Sequence, residues 1–386
     1  MQFILNKIKG DKIIWLVVLL LSVVSLLAVY SSTGTLAYKY QGGNTEYYMI
    51  KHFIILVFGL FLMYLAHLIK YTYFSRIFQI ALWIAIPLLG LTLVIGLDLN
   101  EAKRVLPLPF GLTFQTSDLA KLTLIMYLAR MLTKRQDVIK DFRQAFVPIV
   151  IPVLIVCFLI LPANFSTAAI LFTTSLVLMF IGRVSLKHIF SMVGIGVVIL
   201  LVMFMIAKSY PDLLPRASTW ISRVESFSDK ESEENYQVEQ AKIAIARGGI
   251  VGKMPGNSEQ RNFLPHPYSD FIFAIIIEEY GLLGGVFVVF LYMILLFRAV
   301  KIVTKVPRNF GAFLTIGVAF SLVFQAMINM GVAVHLLPVT GQPLPLISMG
   351  GTSVWFTSIS IGIILSVSKE VESNTSNDAE LQAAPA

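Results

Sequence analysis

The sequence predicts an all-α polytopic membrane protein with about ten transmembrane helices and both termini in the cytoplasm. Three observations predict it: the composition, the length of the apolar runs and the distribution of the basic residues. Apolar residues make up 57% of the 386 residues and charged residues only 13%, against about 45–50% and about 25% in ordinary globular chains. So few charges cannot cover the surface of a soluble protein of this length, which indicates that lipid is the main solvent.

Ten apolar runs are long enough to cross a bilayer, whose core of about 30 Å needs about 20 residues of helix. The predicted spans are roughly Ile13–Tyr30, His52–Ile69, Ile77–Leu97, Asp118–Leu132, Phe146–Leu161, Thr167–Ile181, Ile189–Ala207, Asp270–Phe297, Phe310–His335 and Thr352–Val367. The pairs around Pro162 and Gly182 are closely spaced, so nine is the alternative count. The first run follows three lysines, as in a signal peptide, but no small-residue cleavage pattern ends it, and we interpret it as a retained span.

Basic residues set the predicted orientation, because lysine and arginine concentrate in cytoplasmic loops. With ten spans the termini share a side, which carries Lys7, Lys9, Lys12, Lys70, Arg76, Arg130, Lys134, Arg135, Lys140, Arg143, Arg183, Lys187, Arg298, Lys301, Lys305 and Arg308. The short loops on the other side carry only Lys39, Lys51, Lys103 and Arg104. The net charge is +8, but the basic residues flank the apolar runs and do not form one basic face. This distribution argues against a nucleic-acid partner.

Two long connections lie on the predicted outer side, Asn100–Ser117 and the segment 208–269 between the seventh and eighth helices. A loop as long as the second is usually functional or disordered. Its Ala/Ile-rich stretch Gln237–Ala246 predicts a helix, which the pair Gly248–Gly249 would end. The polar tail 369–386 predicts disorder. We interpret the whole chain as a single transmembrane domain.

Ionisable side chains at or inside apolar helices are costly, so each is a candidate for function. Asp270 begins the eighth predicted span, directly after a proline-punctuated run that fixes the backbone. Although Asp270 could cap its own helix, we favour a chemical role for it. A straight helix would place Glu278 and Glu279 about 12–14 Å deeper in the bilayer. The other polar candidates near the outer ends of spans are Arg104, Lys121, Asn164, Ser166 and Thr167.

A structural role is an open alternative for several of these residues. The two glutamates either contribute to a site or pair with a buried cation such as Lys121 and lock helices together. Gln325 and Asn329, one turn apart in the ninth span, are more typical of hydrogen bonds between helices than of ligand contacts. Asn164 suits a helix N-cap as well as a substrate contact.

Four stretches of the sequence resemble the SEDS family of proteins, which includes FtsW, RodA and a sporulation relative. They are Asn262–Ala274 (NFLPHPYSDFIFA) followed by Glu278–Gly281, Pro338–Ser353 (PVTGQPLPLISMGGTS), Phe114–Lys121 and Tyr236–Gly249. These stretches follow the family's order and spacing and span most of the chain. Isoleucine before Ser348 favours the FtsW (division) type.

Members of this family are ten-helix polymerases of peptidoglycan glycan strands that use lipid II and work with a class B penicillin-binding transpeptidase. The resemblance therefore implies a peptidoglycan glycosyltransferase of the bacterial cytoplasmic membrane, acting with other division or elongation proteins at the septum. It implies that Asp270 is the essential aspartate and that Arg104 and Lys121 lie near the substrate. Further candidates for substrate contact are Asn164, Thr167, Gln240, Ser269, Glu278 and Glu279.

The implied chemistry joins a sugar hydroxyl to an anomeric carbon that carries a lipid pyrophosphate. A carboxylate that accepts the hydroxyl proton assists this attack, and cations stabilise the departing pyrophosphate. We therefore expect Asp270 to act as a general base, alone or as a ligand of Mg²⁺ or Mn²⁺. The family usually carries carboxylates where this chain has His266 and Asn164, which argues against a metal site built from several acids.

Two other functions stay open at this stage. A flippase or transporter for the same lipid would need a polar path through the whole bilayer, whereas the polar groups named above lie mainly in its outer half. A non-catalytic scaffold of a division complex would need no catalytic aspartate at all.

Overall fold

The computed structural model describes residues 9–99, 102–107, 113–209 and 233–383. These residues form twelve helices and one antiparallel sheet with the strand order β1-β2-β3. The helices are α1 (Lys12–Ser32), α2 (Gly34–Gln41), α3 (Thr45–Leu68), α4 (Tyr71–Ile95), α5 (Thr116–Lys134), α6 (Val147–Ile160), α7 (Phe165–Ile181), α8 (Leu186–Ser209), α9 (Glu233–Gly248), α10 (Ile272–Val303), α11 (Asn309–Ala333) and α12 (Thr352–Ala383). The strands are β1 (Leu97–Leu99), β2 (Ala102–Pro107) and β3 (Thr113–Gln115).

Eight of the helical segments in the described residues are long and apolar enough to cross a membrane. They are α1, α3, α4, α6 with the turn before it, α8, α10, α11 and most of α12. Of the other two predicted spans, α7 is shorter and α5 carries Asp118, Lys121, Arg130 and Lys134. The all-helical membrane architecture is confirmed, whereas the count of ten stays a prediction.

Contacts at one end of the bundle join the beginning of the described chain to α10 and to the last helix, α12. The N–H of Gly10 donates to Glu372 Oε2 at 2.7 Å, and Arg298 Nε donates to Asp11 Oδ2 at 2.7 Å. Both ends of the described chain therefore lie on one side, as predicted. We name this side the inner end and the opposite side the outer end, following the distribution of basic residues.

The helix α10 is not straight, because Gly281 interrupts it with φ 69° and ψ −173°. Residues 272–280 form a short first arm and residues 282–303 a long second arm. The arms fold back against each other, since a Cβ on Gly285 would meet Ile277 Cγ1 at 2.8 Å and the Phe273 ring at 3.6 Å. In a straight helix these residues would lie about 12 and about 18 Å from Gly285 along the axis.

The segment 249–254, which follows α9, forms hydrogen bonds with the backbone groups on both sides of the break at Gly281. Four hydrogen bonds do so, from the N–H groups of Lys253 and Met254 to the carbonyls of Glu278 and Glu279, and from those of Leu282 and Leu283 to Gly249 and Ile250. Glycines permit the approach: a Cβ on Gly252 would lie 2.2 Å from the Glu279 carbonyl oxygen. The fold-back of α10 is therefore built together with the segment after α9.

The described residues bear on the predicted connections in three places. The stretch Gln237–Ala246 is helical as predicted, inside α9, which ends at Gly248. The tail was expected to be disordered from residue 369, but α12 continues through it to Ala383, because nothing in its first turns interrupts a helix that the membrane span has already started. The loop Asn100–Ser117 contains strands that no sequence pattern indicated, and residues 100–101, 108–112 and 210–232 lie outside the described residues.

Candidate active site

Asp270 lies half-buried in the turn before α10, below the outer tips of the helices. Ser25, within α1, donates to the carbonyl of Ile347 at 2.9 Å. The next residue, Ser348, donates to the carbonyl of Ser269 at 2.6 Å. These contacts place Asp270 near the level of Ser25, about 10 Å from the outer end of α1 at about 1.5 Å per residue.

The backbone around Asp270 is held on both sides, while its carboxylate is not saturated. Asn329 Nδ2 donates to the Asp270 carbonyl at 2.9 Å, and the N–H of Met349 donates to the Tyr268 carbonyl at 2.9 Å. The carboxylate accepts the Ser269 hydroxyl at Oδ1, at 2.9 Å. None of the ion pairs among the described residues involves it. The aspartate is thus fixed in place and retains acceptor capacity for a ligand.

Gln342 connects Asn164 and Thr167 to the loop beside Asp270. Its Nε2 donates to Asn164 Oδ1 at 3.2 Å and to Thr167 Oγ1 at 3.0 Å. Its carbonyl accepts from Asn329 Nδ2 at 2.7 Å, and all four side chains are buried. Asn164 Oδ1 also caps α7 by accepting the N–H of Thr167 at 3.1 Å. Asn164 is therefore an N-cap that also anchors this loop.

Lys121 holds the same loop from another side. It pairs with Asp118 at 3.2 Å, one turn earlier on α5, and donates to Gln325 Oε1 at 2.9 Å. Gln325 Nε2 in turn donates to the carbonyl of Pro343 at 2.9 Å. Gln325, like Asn329, bonds to the loop beside Asp270, as the structural alternative expects. Because Lys121 pairs with Asp118, the suggested pairing of Lys121 with Glu278 or Glu279 is wrong.

Arg104 lies on β2 and reaches the start of α7. Its Nε donates to the carbonyl of Ala163 at 2.9 Å, next to Asn164. Arg104, Lys103, Ser117 and Asn164 line one small cleft at the outer end. The structure thus brings Arg104, Asn164, Thr167 and Lys121 around the loop that contacts Asp270.

Glu278 and Glu279 lie elsewhere, and the expected depth of these residues is wrong. The first arm of α10 returns to the outer end, where Ser31 donates to Glu279 Oε1. Glu278 accepts the Ser258 hydroxyl and the N–H groups of Glu259 and Gln260, and both glutamates are fully buried. The expected depth assumed a straight helix, whereas the fold-back at Gly281 returns the two glutamates to the outer end.

The remaining polar residues to be placed are Gln240 and those just before Asp270. Gln240 is half-buried on α9 and forms no hydrogen bond with the loop beside Asp270 among the described residues. His266 Nδ1 lies 3.3 Å from the Tyr268 hydroxyl. Burial raises the pKa of Tyr268, and the nearby Asp270 carboxylate raises it further. Tyr268 therefore stays neutral at physiological pH and offers a hydroxyl beside the aspartate.

Sequence reasoning missed the anchoring residues of the site, chiefly Gln342 and Ser348. Both stand in the quoted stretch Pro338–Ser353, where a buried glutamine between Gly341 and Pro343 has no helix or strand to pair its amide. A polar side chain in such an apolar, proline-rich stretch is the signal that could have identified it, since buried amides must find partners.

The described residues contain no cluster of three or more His, Cys, Asp or Glu side chains that could hold a metal ion. Asp270 stands as a single carboxylate with one hydroxyl beside it. This donor set does not fit a cation held by protein alone. It fits a Mg²⁺-like ion that takes most of its ligands from substrate phosphates and water.

The fold and this site define a polytopic membrane protein with a half-buried aspartate that retains acceptor capacity near the outer ends of its helices. The family model described as "Cell cycle protein", for FtsW, RodA and SpoVE, matches residues 11–373. The chain belongs to this family.

Curated relatives match over nearly their whole length. A probable peptidoglycan glycosyltransferase FtsW of Haemophilus influenzae is 32% identical over 92% of this chain and 89% of its own. Stage V sporulation protein E of Bacillus subtilis is 28% identical over 94% of this chain and 98% of its own.

Solved structures share the fold. One is a chain of a peptidoglycan synthase complex, described as coordinating polymerization and crosslinking, with a TM-score of 0.73, 24% identity and coverage of 94% of this chain and 98% of that chain. Another is the rod shape determining protein RodA of Thermus thermophilus, with a TM-score of 0.69, 23% identity and coverage of 95% and 98%.

Proposed function

We propose that this protein is a peptidoglycan glycosyltransferase that polymerises lipid II at the outer face of the bacterial cytoplasmic membrane during cell division. The observation that carries the proposal is the half-buried carboxylate of Asp270, which lies on a fixed backbone and retains acceptor capacity. Family membership and relatives named as peptidoglycan glycosyltransferases support it. The partner we propose is a class B penicillin-binding transpeptidase, since one structural neighbour belongs to a complex that coordinates polymerization and crosslinking.

In this proposal Asp270 acts as the general base. The acceptor sugar hydroxyl attacks the anomeric carbon of the donor, its proton passes to the Asp270 carboxylate, and the bond from the anomeric carbon to the pyrophosphate oxygen breaks. A fixed backbone keeps the carboxylate in one position for this transfer, which is how a pre-positioned base lowers the barrier. The proton then leaves to water, and Asp270 is ready for the next addition.

Arg104 and Lys121 supply positive charge on two sides of the loop beside Asp270. We propose that they neutralise the departing pyrophosphate, as cations aimed at developing negative charge do in other phosphate sites. A divalent cation, Mg²⁺ or Mn²⁺, would be held by Asp270 together with substrate phosphates. When bound, it would add further stabilisation of the leaving group.

Purified wild-type protein, with and without the transpeptidase partner, would be compared with Asp270→Ala in a lipid II polymerisation assay. Asp137→Ala, which removes an exposed carboxylate at the inner end, is the matched control. We expect glycan strands from the wild type and the control and none from Asp270→Ala, with equal melting temperatures. Polymerisation by Asp270→Ala at the native rate would refute the assignment.

A flippase is the second candidate, because hydroxyl groups continue inward from the site. Ser353, Thr357 and Ser360 of α12 line a cleft with Asp118 and Lys121. A fluorescent lipid II analogue in liposomes would separate the two functions: translocation without polymerisation would favour the flippase, and polymerisation without translocation the glycosyltransferase.

A further inference from the structure

A cleft of about 700 Å³ opens at the inner end, on the opposite side of the molecule from Asp270. Three elements meet there: the start of α1, the end of α10 and the inner part of α12. The lining residues are Gly10, Asp11, Lys12, Ile13, Arg298, Lys301, Ile302, Lys305, Ser368, Val371 and Glu372. Nothing in the proposed glycosyl transfer uses this cleft.

The acidic groups of the cleft are already engaged. Asp11 caps α1 by accepting the N–H of Ile13 at 2.9 Å, and it accepts Arg298 Nε at 2.7 Å. Glu372 Oε2 accepts the N–H of Gly10 at 2.7 Å. Asp11 is thus paired with Arg298, and the four cations of the cleft outnumber its two acids.

Three lysines of the cleft have no such engagement. Lys12, Lys301 and Lys305 are exposed, and none of them forms an ion pair or a side-chain hydrogen bond with another described residue. Lys301 and Lys305 stand one turn apart on α10, so they share a face of that helix. Cations from two helices therefore converge on one concave surface and outnumber its two acids, Asp11 and Glu372.

We propose that this cleft binds the phosphate of an anionic phospholipid from the inner leaflet. The three lysines would hold the phosphate, and the exposed side chain of Ile13 would contact the upper part of the acyl chains. Ile13 is 41% exposed at the point where the first apolar span begins, which places the cleft at the boundary between headgroups and hydrocarbon. Basic pockets between helices at the cytoplasmic surface are recognised sites for such headgroups.

The positive-inside rule accounts for lysines on this side of the membrane, but it does not require them to converge. Other inner-end lysines, such as Lys134 and Lys140, are exposed and do not line this cleft. They provide a matched control, because their removal changes the net charge equally and leaves the cleft intact.

The test uses the full-length protein, purified in detergent and stripped of lipid. Dioleoylphosphatidylglycerol, dioleoylphosphatidylcholine and soluble glycerol 3-phosphate would each be titrated, with bound lipid counted by native mass spectrometry and melting temperature followed in parallel. The variants are Lys301→Gln/Lys305→Gln and the control Lys134→Gln/Lys140→Gln. At about 1 kcal/mol for each lysine near a membrane surface, the cleft variant should bind phosphatidylglycerol about 30-fold more weakly.

We expect the wild type and the control to bind phosphatidylglycerol equally and in preference to phosphatidylcholine. An equal loss of affinity in the control would refute the cleft as the site, since net charge alone would then explain binding. Equal binding of phosphatidylcholine would refute recognition of the anionic headgroup. Stabilisation by glycerol 3-phosphate at the same concentration as the lipid would overturn the lipid source and indicate a soluble phosphate ligand. Melting temperatures measured without lipid show whether each variant folds. If the double variant fails to fold, the single substitution Lys305→Gln replaces it.

Discussion

The outer end of the protein holds two groups of carboxylates, which differ in their hydrogen-bond partners. Asp270 forms the chemical group, and Glu278 and Glu279 form the structural group. Asp270 is half-buried and accepts one side-chain hydrogen bond, from its neighbour Ser269. Glu278 is fully buried and accepts three, with Lys253 3.7 Å away. A saturated buried carboxylate has little to offer a ligand, whereas an unsaturated one on a fixed backbone does. Spare acceptor capacity on a carboxylate that is not fully buried, and not the presence of an acid in an apolar helix, distinguishes the chemical site from the structural one. Glu279 Oε2 also lacks a partner, but Glu279 is fully buried.

The largest effect should come from Gly281→Ala, which disrupts the fold-back of α10 next to the structural group. A Cβ at Gly281 would lie 2.2 Å from the Ile250 carbonyl oxygen, and φ is +69°, so strain and overlap should cost about 3 kcal/mol or more. Gly90→Ala in α4, with no atom within 4 Å, is the control. Fluorescence-detected size exclusion and thermal melts should show loss of the folded protein for Gly281→Ala alone. Equal melting of both variants would mean that α10 does not need its fold-back.

Asp270→Asn tests the chemical group while preserving its shape. The amide cannot accept the hydroxyl proton, so polymerisation of lipid II should fall by about 10²–10⁴-fold. The melting temperature should stay near that of the wild type, because the backbone contacts of Asp270 do not involve its carboxylate. A drop in stability as large as the drop in activity would remove the distinction between the two groups.

Glu278→Ala should show the reverse pattern. Its loss leaves the Ser258 hydroxyl and the N–H groups of Glu259 and Gln260 without their partner, which should cost about 3 kcal/mol of stability. Glu46→Ala, an exposed acid in the first turn of α3, should cost less than about 1 kcal/mol. Thermal melts measure both. An unchanged melting temperature with abolished polymerisation would move Glu278 into the chemical group.

The smallest effect should follow Gln342→Ala, which loosens the loop without touching the carboxylate. The substitution removes the bonds to Asn164 and Thr167, and a small displacement of the site should lower polymerisation by about ten- to a hundredfold. Asn257→Ala, which removes an exposed amide bonded to the Lys253 carbonyl, should leave the rate unchanged. If both variants polymerise at the wild-type rate, the loop does not position the site.

Much of the site could be predicted because hydropathy and charge patterns are properties of the linear sequence. The approximate spans, the shared side of the two ends and the position of Asp270 at the start of a span all follow from one-dimensional patterns. The pairing of Lys121 with Asp118 could not be preferred over its pairing with the glutamates. That choice depends on which helix lies opposite α5, which no local pattern encodes.

By itself the sequence determined that this is a membrane protein, which end carries its basic residues and which aspartate stands at the outer interface, because lipid imposes length and charge rules on each span separately. Only the tertiary structure decided that α10 folds back at Gly281, that Glu278 and Glu279 serve that bend, and that Gln342 ties α7 to the loop beside Asp270. The physical reason is that a glycine in an apolar run is compatible with a straight helix or a break. The backbone partners in segment 249–254, distant in sequence, stabilise the break.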